Sequence, residues 1–156
     1  MYYVGASTVN GCDILFPTGQ CNFYSLSAMF ARAKIKSLVF EPDFIRSGAY
    51  LVNCFMYTEF TNSTVVDVTN VTGTNNIKNM DGMFRNSNIT ELNINNWDFS
   101  NVEDLDRFFI NNTTLTNIDF PSNADYSSLI SASDMVTTGA SITTAEYDNL
   151  LIRLDT

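Results

Sequence analysis

Histidine is absent from this 156-residue chain. That removes the commonest general base and the commonest transition-metal ligand, so neither a Ser/His/Asp nor a Cys/His constellation can be assembled. Cysteine is scarce: Cys12, Cys21 and Cys54 form no Cys-x-x-Cys pair, and a structural zinc site is not expected. Cys12 and Cys21 are near enough in sequence for a disulfide, whereas Cys54 reads as a small buried hydrophobe. Positive charge is also sparse. Eight basic residues against 17 acidic ones give a net charge of −9. Such a chain repels phosphates and anionic surfaces, so neither nucleic acid nor an anionic membrane surface is an expected partner. No apolar run has the length of a membrane span. Val71-Thr72-Gly73-Thr74 lacks the lysine and second glycine of a phosphate loop.

What the chain has instead is a repeat. Met80, Met83 and Phe84 recur 25 residues on as Leu105, Phe108 and Phe109, and Leu26, Met29 and Phe30 recur as Leu51, Cys54 and Phe55. A fixed period in this range marks units too small to bury their apolar face alone, which must stack on neighbours. The i, i+3, i+4 spacing predicts one helical turn per unit, with Asn79 as a cap. Ile89-Thr90-Glu91-Leu92-Asn93-Ile94 alternates apolar and polar residues and predicts a short strand, repeated at Leu115 to Phe120 and at Ile35 to Phe40. From Phe55 to Phe84 the offset grows by four residues. Matching Val66-Asp67-Val68 to Leu92-Asn93-Ile94 puts three of them before the strand and one after. Ile14-Leu15-Phe16 reads as a first, atypical strand. Strands joined by helical crossovers run parallel. Leu38, Phe40, Val66, Val68, Leu92, Ile94, Ile118 and Phe120 are expected to face inward, opposite Met29, Phe30, Phe55, Met83, Phe84, Phe108 and Phe109.

The expected fold is therefore an α/β repeat, a leucine-rich-repeat-like solenoid with short parallel strands and one helical turn per rung. Residues 1–22 form an N-terminal cap or attachment segment with the first strand, 23–121 the repeats, and 122–156 a C-terminal cap. Thr143-Thr144-Ala145-Glu146 reads as a capping box, and Tyr147, Leu150, Leu151 and Leu154 keep helical spacing after it. This capping helix, from about residue 143, either closes the last rung or presents its apolar face to another chain. Met1 to Gly5 lacks the basic and apolar regions of a signal peptide, which fits either an unsecreted chain or an excised piece.

Asn79 to Phe84, Leu92 to Ile94, Trp97 to Val102 and Leu115 to Pro121 resemble the BspA-like leucine-rich repeats of bacterial surface proteins, and the ending Ile142 to Leu151 is similar to the segment that often follows them. The resemblance covers residues 23 to 121 plus that tail. It implies a solenoid for adhesion and recognition, with no catalytic residues, and such domains also occur in virion structural proteins.

The function expected from residues and resemblance together is non-enzymatic, with no cofactor and no metal. The chain reads as a virion fibre, decoration or host-recognition module, located on a virion or an extracellular surface. The alternative is an adhesion domain of a bacterial cell-surface protein. Partners are proteins or glycans on a cell surface, or other virion proteins, in a multivalent or oligomeric assembly. Two outward strand columns are the expected ligand face: Val39, Asp67, Asn93 and Asp119, and beside them Ser37, Val65, Glu91 and Asn117. Asp67, Glu91, Asn93, Asn117 and Asp119 are the candidate contacts, and Tyr2, Tyr3, Tyr147, Leu150, Leu151 and Leu154 the candidate assembly residues. Glu103, Asp104 and Asp106 are expected on an exposed helical face. Sequons at Asn62, Asn70, Asn88, Asn111 and Asn112 matter only in a glycosylating host, and Asn86 and Asn111 are read as braces of the turns.

Overall fold

A computed structural model describes residues 11–16, 23–40, 45–63, 65–68, 71–136, 148 and 151. Among the described residues nine short strands follow one another: β1 (Cys12–Phe16), β2 (Phe23–Ser25), β3 (Lys34–Phe40), β4 (Ile45–Tyr50), β5 (Glu59–Phe60), β6 (Val65–Asp67), β7 (Ile77–Asn79), β8 (Glu91–Asn93) and β9 (Asn117–Asp119). They form three three-stranded sheets, ordered β1-β3-β5, β2-β4-β7 and β6-β8-β9, and every pairing is parallel.

The expected α/β solenoid with a helical turn per rung does not form. Among the described residues up to Val136 there is no α-helix, only a 3-10 turn at Thr74–Asn76, and the architecture is small parallel sheets joined by turns. The reason lies in the amides of the apolar motif. Met83, Arg85 and Ser87 donate to the carbonyls of Met80, Gly82 and Phe84, three residues back rather than four. The intervening amides leave the segment altogether: Met80, Gly82, Phe84 and Asn86 donate to Asp104, Asp106, Phe108 and Ile110 of the next unit. The same alternation runs through 26–33, 51–58 and 105–112. An α-helix would have kept these bonds within one unit. Here half of them join successive units.

Left-handed backbone enforces the difference. Ala28, Asn53, Gly82 and Arg107 have positive φ, and so do Arg32, Tyr57, Asn86 and Asn111 four residues later in each unit. Two such residues per unit are incompatible with a right-handed helix. Met80, Met83 and Phe84 still share a buried face, so the spacing reports the shared face correctly and the wrong backbone. At Gly82 a Cβ would also meet the Asn53 side-chain oxygen, whereas the equivalent Ala28, Asn53 and Arg107 carry a side chain at the same positive φ.

The core is the repeat made solid. Phe30, Phe55, Phe84 and Phe109 form a stacked column, with successive ring centroids 5.3, 5.3 and 6.3 Å apart and planes within 14°. Of the expected inward residues, Val66, Val68, Leu92, Ile94 and Phe120 are buried from the strand side, while Ile118 and Met29 are only partly covered. The side chains of Leu38 and Phe40 lie outside the description. Register between β6 and β8 pairs Val66 with Leu92, which places the four extra residues as the alternation predicted.

Most of the expected C-terminal capping helix lies outside the described residues: only Asp148 and Leu151 of it are described, both in helical conformation, and Leu151, expected on its apolar face, is 45% exposed rather than covered by the last rung. Tyr2, Tyr3, Tyr147, Leu150 and Leu154 lie outside the described residues, as does Cys21. Cys54 is a free thiol, and complete burial pushes its pKa up. It should resist alkylation by a maleimide at neutral pH in the native chain and react fully once the chain is unfolded. A native-state reaction as fast as that of the unfolded chain would contradict this burial.

Candidate recognition face

β6, β8 and β9 align residue for residue: Val65 with Glu91 and Asn117, Val66 with Leu92 and Ile118, Asp67 with Asn93 and Asp119. Because side chains alternate across a strand, the middle row enters the core and the outer two rows share the opposite face. Val65, Glu91 and Asp119 are exposed, and Asn93 and Asn117 are half-buried. The candidates Glu91, Asn93, Asn117 and Asp119 thus stand in one ladder, in backbone register with Asp67, whose side chain lies outside the description. Val39 and Ser37 do not join it. They pair with Leu15 and Asp13 in the first sheet, because β3 ends its pairing with the next unit at Lys34–Glu59 and Ile35–Phe60.

Side-chain bonds hold the ladder's rim. Asn95 donates Nδ2 to Asp119 Oδ2 at 2.9 Å, and its backbone amide donates to Asn93 Oδ1 at 3.3 Å. Beyond the strand ends an open cleft of about 480 Å³ lies between Asn95–Ser100 and Pro121–Asp125. Trp97 and Phe99, both buried, lie at its floor, with the indole N–H donating to the Val68 carbonyl at 3.0 Å. Asp98 and Asp125 stand on its rim. Each carboxylate accepts an amide two residues on, from Ser100 and Ser127 respectively. That bond holds the Asp125 carboxyl below its ordinary pKa.

Charge is treated differently elsewhere. Lys34–Glu59, Lys36–Asp13, Lys78–Glu103 and Arg107–Asp81 are ion pairs between successive units, and Arg32 lies over the Tyr57 ring. Arg107 grips both oxygens of Asp81, at 3.0 and 2.6 Å. These pairs raise the Lys78 and Arg107 pKa values, while the Ser37 hydroxyl and Lys36 lower that of Asp13. Apart from Asp81, at 17%, the paired side chains are 42–63% accessible and therefore screened, so these pairs set register more than stability. Among the described residues no ion pair neutralises Glu91 or Asp119.

Glu103, Asp104 and Asp106, expected on an exposed helical face, are half-buried on the turn. Asp104 receives Asn79 Nδ2 at 2.8 Å and the Asp106 amide at 2.8 Å, and Asp106 receives the Ser133 amide at 2.7 Å. Their lone pairs organise backbone. Among the described residues no group of three His, Cys, Asp or Glu side chains is arranged to hold a metal ion, and no helix is long and apolar enough to cross a membrane.

The polar residues that matter most to the interior escaped the pattern reading. Asn112 is fully buried, donating Nδ2 to the Phe84 carbonyl at 2.7 Å and accepting from the Ser87 hydroxyl at 3.2 Å. Thr58 does the same for the Phe30 carbonyl at 2.8 Å. Asn88 uses its amide as a substitute strand, accepting from Phe60 N–H at 2.8 Å and donating to Phe60 C=O at 3.1 Å. Asn112 and Asn88 are therefore structural, whatever their sequons suggest. Asn86 and Asn111 brace the turns by left-handed φ, with only a 3.4 Å contact between their amides. The signal for this was present: Asn53 and Gly82, then Asn86 and Asn111, are residue types that tolerate positive φ, at matched repeat positions.

No curated protein and no solved structure matches the chain. A family model, DUF285, described as a Mycoplasma protein of unknown function, matches residues 51–148, more than half of the sequence, and the chain belongs to that family.

Proposed function

We propose that the chain is a non-catalytic recognition module of a bacterial surface protein, related to the BspA-like repeats it resembles, and that it binds a protein or glycan through the β6-β8-β9 face. The observation that carries this reading is the contrast in charge use. Glu59, Glu103 and Asp81 are each paired with a base of a neighbouring unit, whereas among the described residues Glu91 and Asp119 stand exposed with no such base. Acids and amides in a flat, regularly spaced ladder suit a ligand rich in cationic or hydrogen-bonding groups. The family's description as a Mycoplasma protein supports a bacterial origin, and with it the bacterial reading rather than the virion module also expected from the sequence.

The test is binding of the purified chain to candidate host cells by flow cytometry, with detergent-solubilised cell-surface proteins and a glycan array as the two ligand sources. Reversing Glu91→Lys and Asp119→Lys together should weaken binding about tenfold or more while leaving the thermal unfolding midpoint in place. Unchanged binding by the doubly reversed chain would sink the assignment of this face. Capture only by purified phage particles would move the module to a virion.

A further inference from the structure

The alternating hydrogen-bond scheme leaves the two ends of the stack chemically opposite. In each interior junction, alternate amides of one unit donate to alternate carbonyls of the next, as Leu105, Arg107 and Phe109 donate to Ser131, Ser133 and Met135. Within the turn segments 26–32, 51–57, 80–86 and 105–109 these inter-unit bonds all run forward, whereas outside them Glu59, Glu103, Thr116 and Ile130 donate back to the preceding unit. In the last described unit, the positions equivalent to Arg107 and Phe109 are Asp134, which shares the positive φ, and Val136, which bridges to Phe109. Among the described residues their amides meet no acceptor. In the first unit, Ser27 and Met29 occupy the positions of the accepting Val52 and Cys54, and among the described residues their carbonyls receive no amide. Along the turn segments, and among the described residues, one end therefore presents donors and the other acceptors, both on alternate residues.

We propose that a second copy of this chain docks head to tail, with the amides of Asp134 and Val136 donating to the carbonyls of Ser27 and Met29 of the other copy. Such edge pairing supplies backbone bonds in the pattern already used inside the molecule. The flanking side chains fit the same register. Ser25 and Ser27 have hydroxyls 2.9 Å apart at the acceptor end, and Ser131 and Ser133 have hydroxyls 3.4 Å apart at the donor end. The junction would thus place serine pairs over serine pairs, with no like charges between them. Met135 would lie over Met29, continuing the column of Cys54, Met83 and Phe108. Ile130, 82% exposed beside the donor edge, would gain cover. An end contact of this size is small, so weak association is expected. It is heterologous and need not close, so short chains of copies form rather than a single symmetric dimer.

The proposal makes a specific demand on two single variants. Ser27→Arg blocks the acceptor end and Ser133→Arg the donor end. Both residues are exposed, so folding is not at stake, and circular dichroism checks it. In sedimentation velocity up to about 1 mM, the parent chain should self-associate with rising concentration. Each variant alone should stay monomeric. Their equimolar mixture should form a dimer and stop there, because Ser27→Arg keeps a donor end and Ser133→Arg keeps an acceptor end. A parent chain that is monomeric throughout overturns the proposal. So does a variant that still self-associates alone, or a folded mixture that remains monomeric.

Discussion

Phe84→Ala should lower the unfolding free energy by about 3–5 kcal/mol, measured by urea denaturation of the intact chain. Phe84 is fully buried, stacks on Phe55 and Phe109, and meets Phe108 edge-on at 5.6 Å. Truncation removes the middle of a continuous ring column, and the rings on either side cannot close the gap. Their positions are set by backbone bonds to the next units, since Phe55 N–H donates to the Met83 carbonyl and Phe109 N–H to the Met135 carbonyl. A site that cannot collapse keeps its cavity and its full cost. Phe84→Leu, which retains most of the volume, should lose only about 1–2 kcal/mol. Equal losses for the two substitutions would show that ring stacking, rather than the void, dominates the column.

Asn112→Asp should cost about 3–5 kcal/mol at pH 7, because it exchanges a buried donor for a buried charge. In the folded chain Nδ2 donates to the Phe84 carbonyl, and a carboxylate there sets oxygen against oxygen. Burial and that carbonyl both disfavour the ionised form, so the folded pKa rises above the unfolded value of about 3.9. A raised folded pKa means that the folded state binds the proton more tightly. Relative to the parent, the penalty therefore grows as pH rises through the unfolded pKa and levels off above the folded one. Lowering the pH from 7 to about 4 should recover part of the loss, because the neutral acid can donate to the carbonyl. Asn112→Leu should instead cost about 1–3 kcal/mol, with no pH dependence relative to the parent. A pH-independent loss for Asn112→Asp would mean that the carboxyl has turned out to solvent.

The strand rows were legible because alternation over three residues has one structural meaning when one face is buried. Leu92 and Ile94 are in the core, Glu91 is outside, and the β6-β8-β9 register follows from the same pattern. The apolar triplets were legible only as a shared face. Met80, Met83 and Phe84 satisfy helical spacing, and the same three converge on one side of successive tight turns when positive φ recurs every four residues. Asn53, Gly82, Asn86 and Asn111 carried that information in their types, whereas Ala28, Arg32, Tyr57 and Arg107 concealed it by taking positive φ without being built for it. Asn112 gave no signal at all, because a buried amide and an exposed one look identical in a polar link.

The sequence by itself determined the period, the parallel direction, the phenyl column and the acidic, amide-rich face of β8 and β9. Each of these depends on which residues recur at which spacing. Tertiary structure decided where every backbone amide goes. Within one unit a helical turn and a series of left-handed tight turns bury the same side chains. Only the neighbouring unit, by accepting alternate amides, makes the second cheaper than the first. That choice removes the helical turns of the repeats, splits the strands into three small sheets, detaches Ser37 and Val39 from the candidate face, and, among the described residues, leaves the turn segments with donors at one end and acceptors at the other.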